Sequence, residues 1–345
     1  MSRERLARGA ALALPRLAAA GLLALAAACG DADAESELLP GEARAAHAPN
    51  PADPALPSGG ARPADDGDTT QGVLPLDSAA ADARALVVTA RDSAIVDATL
   101  RWALSEGLDT VTIGTAVARI GRRFVGSPYT PGTLDPPGPE RLVVNLREFD
   151  CVTFVESVLA LARTARDPAP SFSAFVRELE RLRYRAGVRA GYASRLHYFS
   201  EWLHDNAGRG SLEIVTRALG GVPDREPIRF MSDHPDAYRQ LADADLLGRI
   251  RAIETALRTV PRFMLPEGRI AAAEGGIVDG DVIAATSTLP GLDVAHTGIA
   301  ITIDGRIHLM HAPLVGDSVQ ISEVPLADRI LRLGTQDGIM VARPR

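Results

Sequence analysis

From residue 84 onward the apolar positions change period part-way along the chain. Ile95, Val96, Leu100, Ala103 and Leu104 recur at helical spacing, with Asp92 or Ser93 as the N-cap and Gly107 as the stop. A second helix is predicted from Thr112 through Ile113, Val117 and Ile120, ending before Gly126-Ser127-Pro128. Gly126 to Glu140 is rich in Pro and Gly and reads as a long ordered loop containing Tyr129. Leu142 to Leu146 forms a short strand or extended arm, and the helix that follows opens at Cys151 and carries Val152, Val155, Val158, Leu159 and Leu161. Its stripe is broad enough to predict a mostly buried helix.

Phe172, Phe175, Val176, Leu179 and Leu182 predict the next helix, and Leu196, Phe199, Trp202 and Leu203 another. Helix dominates through Leu241, Leu246, Ile250, Ile253 and Leu257. Short strands then take over at Asp281 to Ala285, Ala295 to Ile303, Ile307 to Ala312, Val319 to Ile321 and Gly338 to Val341. Asp304-Gly305 between two of them is a hairpin signal. The expected class is α+β, with helices first and a mostly antiparallel sheet at the C-terminal end.

The first 83 residues follow neither pattern. Arg3, Arg5, Arg8 and Arg16 precede the apolar run Leu17 to Ala28, which is too short for the roughly 20 residues of a membrane span and fits an export signal over residues 1–28. Residues 29–83 are rich in Ala, Pro, Gly and Asp and are expected to be a disordered acidic tether. Residues 84–345 form the folded domain. The formal charge of −7 gives no general attraction to nucleic acid, and no glycine-rich phosphate loop or spaced cysteine set calls for a cofactor or metal.

The chain has two cysteines, Cys29 and Cys151. A lone cysteine is ordinarily a small apolar core residue, but Cys151 follows the acidic cap Asp150 at a helix start, where aligned N–H groups stabilise a thiolate. A thiol nucleophile needs a base, and the base an orienting partner. His296 stands at a strand start with Gly298 and Ala300 on its face, small neighbours expected to leave room for substrate. His308 and His311 on the returning strand point to opposite faces. His311 is the better orienter, because Asp293 and Asp304 are expected in turns that shape the backbone.

Further along the cleft, Arg195, His197 and Tyr198 are substrate-binding candidates, with Arg195 and Tyr198 expected to share one helical face, as a guanidinium for a substrate carboxylate and a ring for a sugar; a purely structural network is the competing reading. His197 and His204 are too few for zinc. Tyr129 and Ser232 are expected to line the cleft or hold its loops. Glu156, in apolar surroundings, needs a hydrogen-bonding partner and is expected to tie down the Gly126 to Tyr129 loop. Trp102 and Trp202 read as core.

These residues sit in motifs that resemble a known family. Gly126-Ser127-Pro128-Tyr129 with Gly132-Thr133-Leu134, the run from Asn145 to Glu156, Tyr184 to Gly187, Gly191 to Ser200 with Trp202 and Asn206, Phe230-Met231-Ser232 with His234-Pro235, His296-Thr297-Gly298 and His311-Ala312 occur in the order of the DUF1460 family. That family, described as N-acetylmuramoyl-L-alanine amidase-like, is a branch of the papain-like NlpC/P60 cell-wall peptidases. The resemblance implies a papain-like core with a large helical insert, and Cys151, His296 and His311 as nucleophile, base and third member. It also implies hydrolysis of the amide between muramic acid and L-alanine in peptidoglycan or muropeptides, without a cofactor. An endopeptidase cutting within the stem peptide and a non-catalytic wall-binding lipoprotein are the alternatives. Pro313 stands where the family commonly has serine. Ala26-Ala27-Ala28-Cys29 resembles a bacterial lipobox, which implies lipidation at Cys29 and attachment to the cell envelope, at the periplasmic face of the outer membrane if Gly30 is the sorting signal.

Overall fold

The computed structural model describes residues 86–345. The export signal, Cys29 and the tether to residue 83 lie outside the described residues.

Strand β1 (Leu86–Val87) pairs in parallel with β2 (Leu142–Val143), which leads toward Cys151. Between them, helix α1 (Ala90–Ser105) begins at Thr89, not at the expected Asp92 or Ser93. Asp92 is instead the returning partner of a capping box: its amide donates to Thr89 Oγ1 (3.2 Å), and its carboxylate accepts the Thr89 amide (3.1 Å). The other Asp92 oxygen accepts Leu146 N at 3.0 Å and Arg147 Nε at 3.1 Å, so this fully buried acid also anchors the segment running into Cys151.

Helices α2 (Ile113–Arg122), α3 (Cys151–Thr164) and α4 (Phe172–Arg183) form where the periodicity predicts them, capped by Thr112, Asp150 and Ser171. They pack with α1 into one core, with Val117, Ile120, Phe154, Val158, Phe175 and Leu179 all buried. The Gly126 to Glu140 loop is ordered by the far end of the chain. Gly126 N donates to Val319 O (2.7 Å), Val319 N to Ser127 O (2.8 Å) and Tyr129 N to Asp317 O (2.8 Å).

The middle of the chain is less helical than its pattern predicts. Helix α5 (Phe199–Gly208) is followed by strands β3 (Leu212–Ile214) and β4 (Val222–Asp224), a single turn α6 (Phe230–Asp233), α7 (Ala244–Leu257), β5 (Arg262–Pro266) and α8 (Glu267–Ala273). Strands of three to five residues carry too few alternations to register as a period. The expected C-terminal strands follow as β6 (Val282–Ser287), β7 (Val294–Ile303), β8 (Arg306–His311) and β9 (Gln320–Ile321), then helix α9 (Leu326–Arg332) and β10 (Gln336–Pro344).

The main sheet runs β4-β5-β10-β6-β7-β8-β9, with β3 also on β10, and its pairings are antiparallel. Asp304 (φ 50) and Gly305 (φ 78) make the β7–β8 turn with both residues left-handed, as a tight hairpin requires. One sheet face joins the α1–α4 core through Val282, Ile299, Ile301 and Met310. The other packs Ile283, Ala300 and Leu309 against Ile270 of α8 and Leu326 and Ile330 of α9. The α+β expectation therefore holds.

Candidate active site

Asp150 caps α3 through a box closed by Thr153: its carboxylate accepts Thr153 N at 2.7 Å, and Thr153 Oγ1 accepts Asp150 N at 2.9 Å. The cap satisfies the N3 amide and leaves Cys151 at the first helical position, in the field of the helix start. Burial raises the Asp150 pKa, against the Thr153 hydrogen bonds and the Arg183 charge. Cys151 is buried against bulk solvent yet lines a cleft of about 360 Å³. The Pro/Gly loop, the segment Tyr192 to Phe199, the insert around Tyr238 and the start of β7 form the rest of the wall.

His296 lines the same cleft from β7. The β6–β7 register slips between Ala285↔His296 and Thr286↔Val294, so Ala295 is an extra residue, a bulge that changes side-chain direction just before the histidine. His296 Nε2 lies 2.7 Å from Nδ1 of His311, the last residue of β8, with the rings nearly perpendicular. His296 Nδ1 has no hydrogen-bond partner among the described residues. His311 does not line the cleft; it backs His296 from the adjacent strand. Burial, and secondarily the charge of Arg329 on α9, push the His296 pKa well below 6.5. His311 is lowered in the same way by burial, then by His296 and Arg329.

Gly298 does share the His296 face, but the room it leaves is not for substrate. A Cβ there would meet Met310 O at 2.7 Å, Leu309 Cδ1 at 2.8 Å and His311 Cβ at 3.0 Å. The missing side chain admits the neighbouring strand and its histidine. Asp293 shapes backbone, as expected: its oxygens accept Ser200 N and Val294 N, each at 2.8 Å, supplying the cap that α5 lacks.

Arg195 and Tyr198 are not on a helix. Arg195 is extended (φ −65°, ψ 141°) and bridges to Tyr184, and the helix begins only at Phe199. Leu196 N is taken by Arg183 O (3.0 Å), which breaks the pattern its apolar spacing suggests. Arg195, His197 and Tyr198 all line the cleft, each with a partner already in place. Arg195 donates to Asp135 Oδ1 (2.5 Å) and Leu134 O (2.7 Å). His197 Nε2 meets Tyr192 O at 2.9 Å, and burial followed by the Arg195 charge pushes its pKa down to about 3, so the ring is neutral and Nε2 is the donor. Tyr198 donates to Glu254 (2.7 Å) and accepts Met231 N (2.9 Å).

Tyr129 and Ser232 are not among the lining residues. Tyr129 bridges Phe149, and Ser232 donates to Arg229 O (3.3 Å). Glu156 binds Arg183 Nε (2.7 Å) and Trp202 Nε1 (3.1 Å), tying α4 and α5 to the Cys151 helix and not to the Gly126 to Tyr129 loop as expected. Arg183 continues to Val143 O at 2.6 Å. Sequence reading passed over Asp135, Arg239 and Gln240 on the cleft wall; they lie in a loop and in short turns, where no periodicity marks a side chain's direction.

Residues 119–335 match the family of AmiA-like, N-acetylmuramoyl-L-alanine amidase-like proteins. The chain belongs to this family. A Bacteroides uniformis N-acetylmuramoyl-L-alanine amidase is 38% identical to this amidase-like chain, with a TM-score of 0.65, covering 68% of this chain and all of that one. A Bacteroides fragilis protein with a provisional xylanase assignment is 37% identical, with a TM-score of 0.62, over 65% of this chain and 98% of its own. A Legionella pneumophila DUF1460 protein, 22% identical over 73% of this chain and 96% of its own with a TM-score of 0.53, shares the fold. No curated protein matches. The architecture is that of papain-like NlpC/P60 proteins, and membership carries amidase-type hydrolysis of peptidoglycan as the general class of activity.

Proposed function

We propose that this protein is a cysteine amidase that cleaves the bond between the lactyl group of N-acetylmuramic acid and L-alanine in peptidoglycan or muropeptides. The observation that carries this reading is one cleft lined by Cys151, at a capped helix start, and by His296, backed at 2.7 Å by His311. Donation from His296 Nε2–H to His311 Nδ1 leaves a lone pair on Nδ1 of His296, the nitrogen without a partner.

In this mechanism Nδ1 of His296 takes the Cys151 thiol proton, and the resulting thiolate attacks the lactyl carbonyl, giving a tetrahedral intermediate whose oxyanion is met by the Cys151 backbone N–H. His296 protonates the departing L-alanine nitrogen, and the C–N bond breaks to leave a thioester. His296 then takes a proton from water, which attacks the thioester and releases the muramic acid carboxylate and the thiol. Low-pKa imidazoles suit a resting state in which His296 is neutral.

Digestion of defined muropeptides followed by mass analysis tests this. The expected product is an intact peptide beginning with L-alanine, absent with Cys151→Ala. A shorter peptide would point to an endopeptidase, and undiminished activity in Cys151→Ala would remove the cysteine from the mechanism.

We also propose export and lipid attachment through Cys29. Fatty-acid labelling that persists in Cys29→Ala would overturn it.

A further inference from the structure

We propose that Arg195, Gln240 and Arg239 form a carboxylate subsite of the cleft, held by the protein's own Asp135 until a carboxylate of the stem peptide replaces it. The proposal rests on the muropeptide reading and names the part of the substrate that the cleft recognises.

The Arg195 side chain is 7% exposed and a guanidinium does not lose its proton, so it requires a compensating anion at all times. Two carboxylates meet it, and they differ in kind. Glu140, 3.8 Å from Nε, is 5% exposed and accepts the Tyr184 hydroxyl at 2.8 Å, which makes it a fixed, buried partner behind the cleft. Asp135, 2.5 Å from Nη2, is 42% exposed and comes from the Pro/Gly loop. Its Oδ1 also accepts Gln240 Nε2 at 3.0 Å.

A guanidinium and an amide converging on one oxygen is how a protein holds a carboxylate ligand. Beside them, exposed Arg239 donates to the carbonyls of Pro136 (3.2 Å) and Asp135 (3.5 Å) and, among the described residues, pairs with no carboxylate. The two guanidiniums and the two carboxylates balance in charge, but both carboxylates sit on Arg195, so Arg239 is left with carbonyl partners alone. Asp135, Arg195, Arg239 and Gln240 line the cleft that contains Cys151. Exchanging one carboxylate for another never leaves Arg195 bare, which avoids the penalty that removing a partner from a buried charge would impose. A stem peptide has two sources of this group: the free carboxylate of its second residue, an acid linked onward through its side chain, and its C-terminal carboxylate.

Calorimetric binding to the Cys151→Ala protein tests the proposal without requiring bond cleavage. Three muropeptides serve as probes: the free acid, the form amidated at the second residue, and the form amidated at the C-terminus. One amidation is expected to weaken binding about tenfold, identifying the recognised carboxylate. Asp135→Asn, which removes the competitor, should tighten the acid severalfold and leave that amide unchanged. Arg239→Gln, at an exposed position, should weaken the acid alone. Equal effects of Asp135→Asn on all three ligands, no discrimination by either amidation, or no binding at all would overturn the subsite. If the wild-type enzyme cuts another bond while these binding differences persist, only the choice of scissile amide fails.

Discussion

The 2.7 Å contact between His296 Nε2 and His311 Nδ1 joins two strands and leaves Nδ1 as the His296 nitrogen without a hydrogen-bond partner among the described residues. Because His311 lies behind the cleft wall, its effect on turnover passes through the orientation and tautomer of its neighbour. His311→Asn keeps an acceptor in the form of the amide oxygen and should retain more activity than His311→Ala, for which a fall of roughly 10²-fold or more in kcat/KM is expected. Steady-state kinetics with melting controls check this; equal losses in the two variants would show that the acceptor is unimportant.

Gly298→Ala tests how tightly the paired strands fix that contact. The new methyl group would lie 2.7 Å from Met310 O, a backbone atom that cannot swing aside. A destabilisation of about 1–3 kcal/mol is expected from overpacking, with a larger change in kcat than in KM because His311 is displaced. An unchanged melting point and unchanged turnover would refute it.

The acid limb of the pH–rate profile should lie below pH 6.5, since burial and the Arg329 charge keep His296 deprotonated as acidity rises. Arg329→Gln should move that limb upward. The same shift affects stability. A histidine whose folded pKa is depressed contributes fully above its unfolded value and loses that contribution as pH falls toward the folded value. Asp150, Glu156 and Asp293, raised by burial, work in the opposite sense. Comparison with His296→Gln isolates one group: the wild type should lose stability relative to the variant by up to about 1.4 kcal/mol per pH unit below pH 6.5. A pH-independent difference in denaturant titrations would contradict the assignment.

Glu156→Gln should be costly through structure alone. It would leave Arg183, whose side chain is 3% exposed, without its carboxylate, and a loss of about 3–5 kcal/mol is expected. Equilibrium unfolding followed by tryptophan fluorescence measures it, because Trp202 donates to the same carboxylate. A loss under about 1 kcal/mol would place the pair among weak surface bridges.

Much of this was legible in the residues. Asp150 before the apolar run announced the Cys151 helix, and the Asp304-Gly305 turn announced the hairpin that brings His311 beside His296. The stretch from Ser194 to Tyr198 misled because its apolar spacing continues that of α5, while the Leu196–Arg183 backbone bond holds it extended. Asp92 reads as an N-cap but is the N3 partner of Thr89, and its further task, holding Leu146 and Arg147, depends on a contact across 54 residues that no local pattern encodes. Asp135 was invisible for the same reason, since its partners come from two distant segments.

Strand β10, last in sequence, lies between β5 and β6 and also pairs with β3. A chain emerging from its N-terminus would therefore present the thiol helix and both imidazole strands before the sheet could close. Until β10 slots in, β6 lacks one neighbour, and the hairpin bearing the histidines hangs on an unsupported edge. Closure of the sheet that seats both imidazoles therefore depends on residues 336–344, which follow them in the chain.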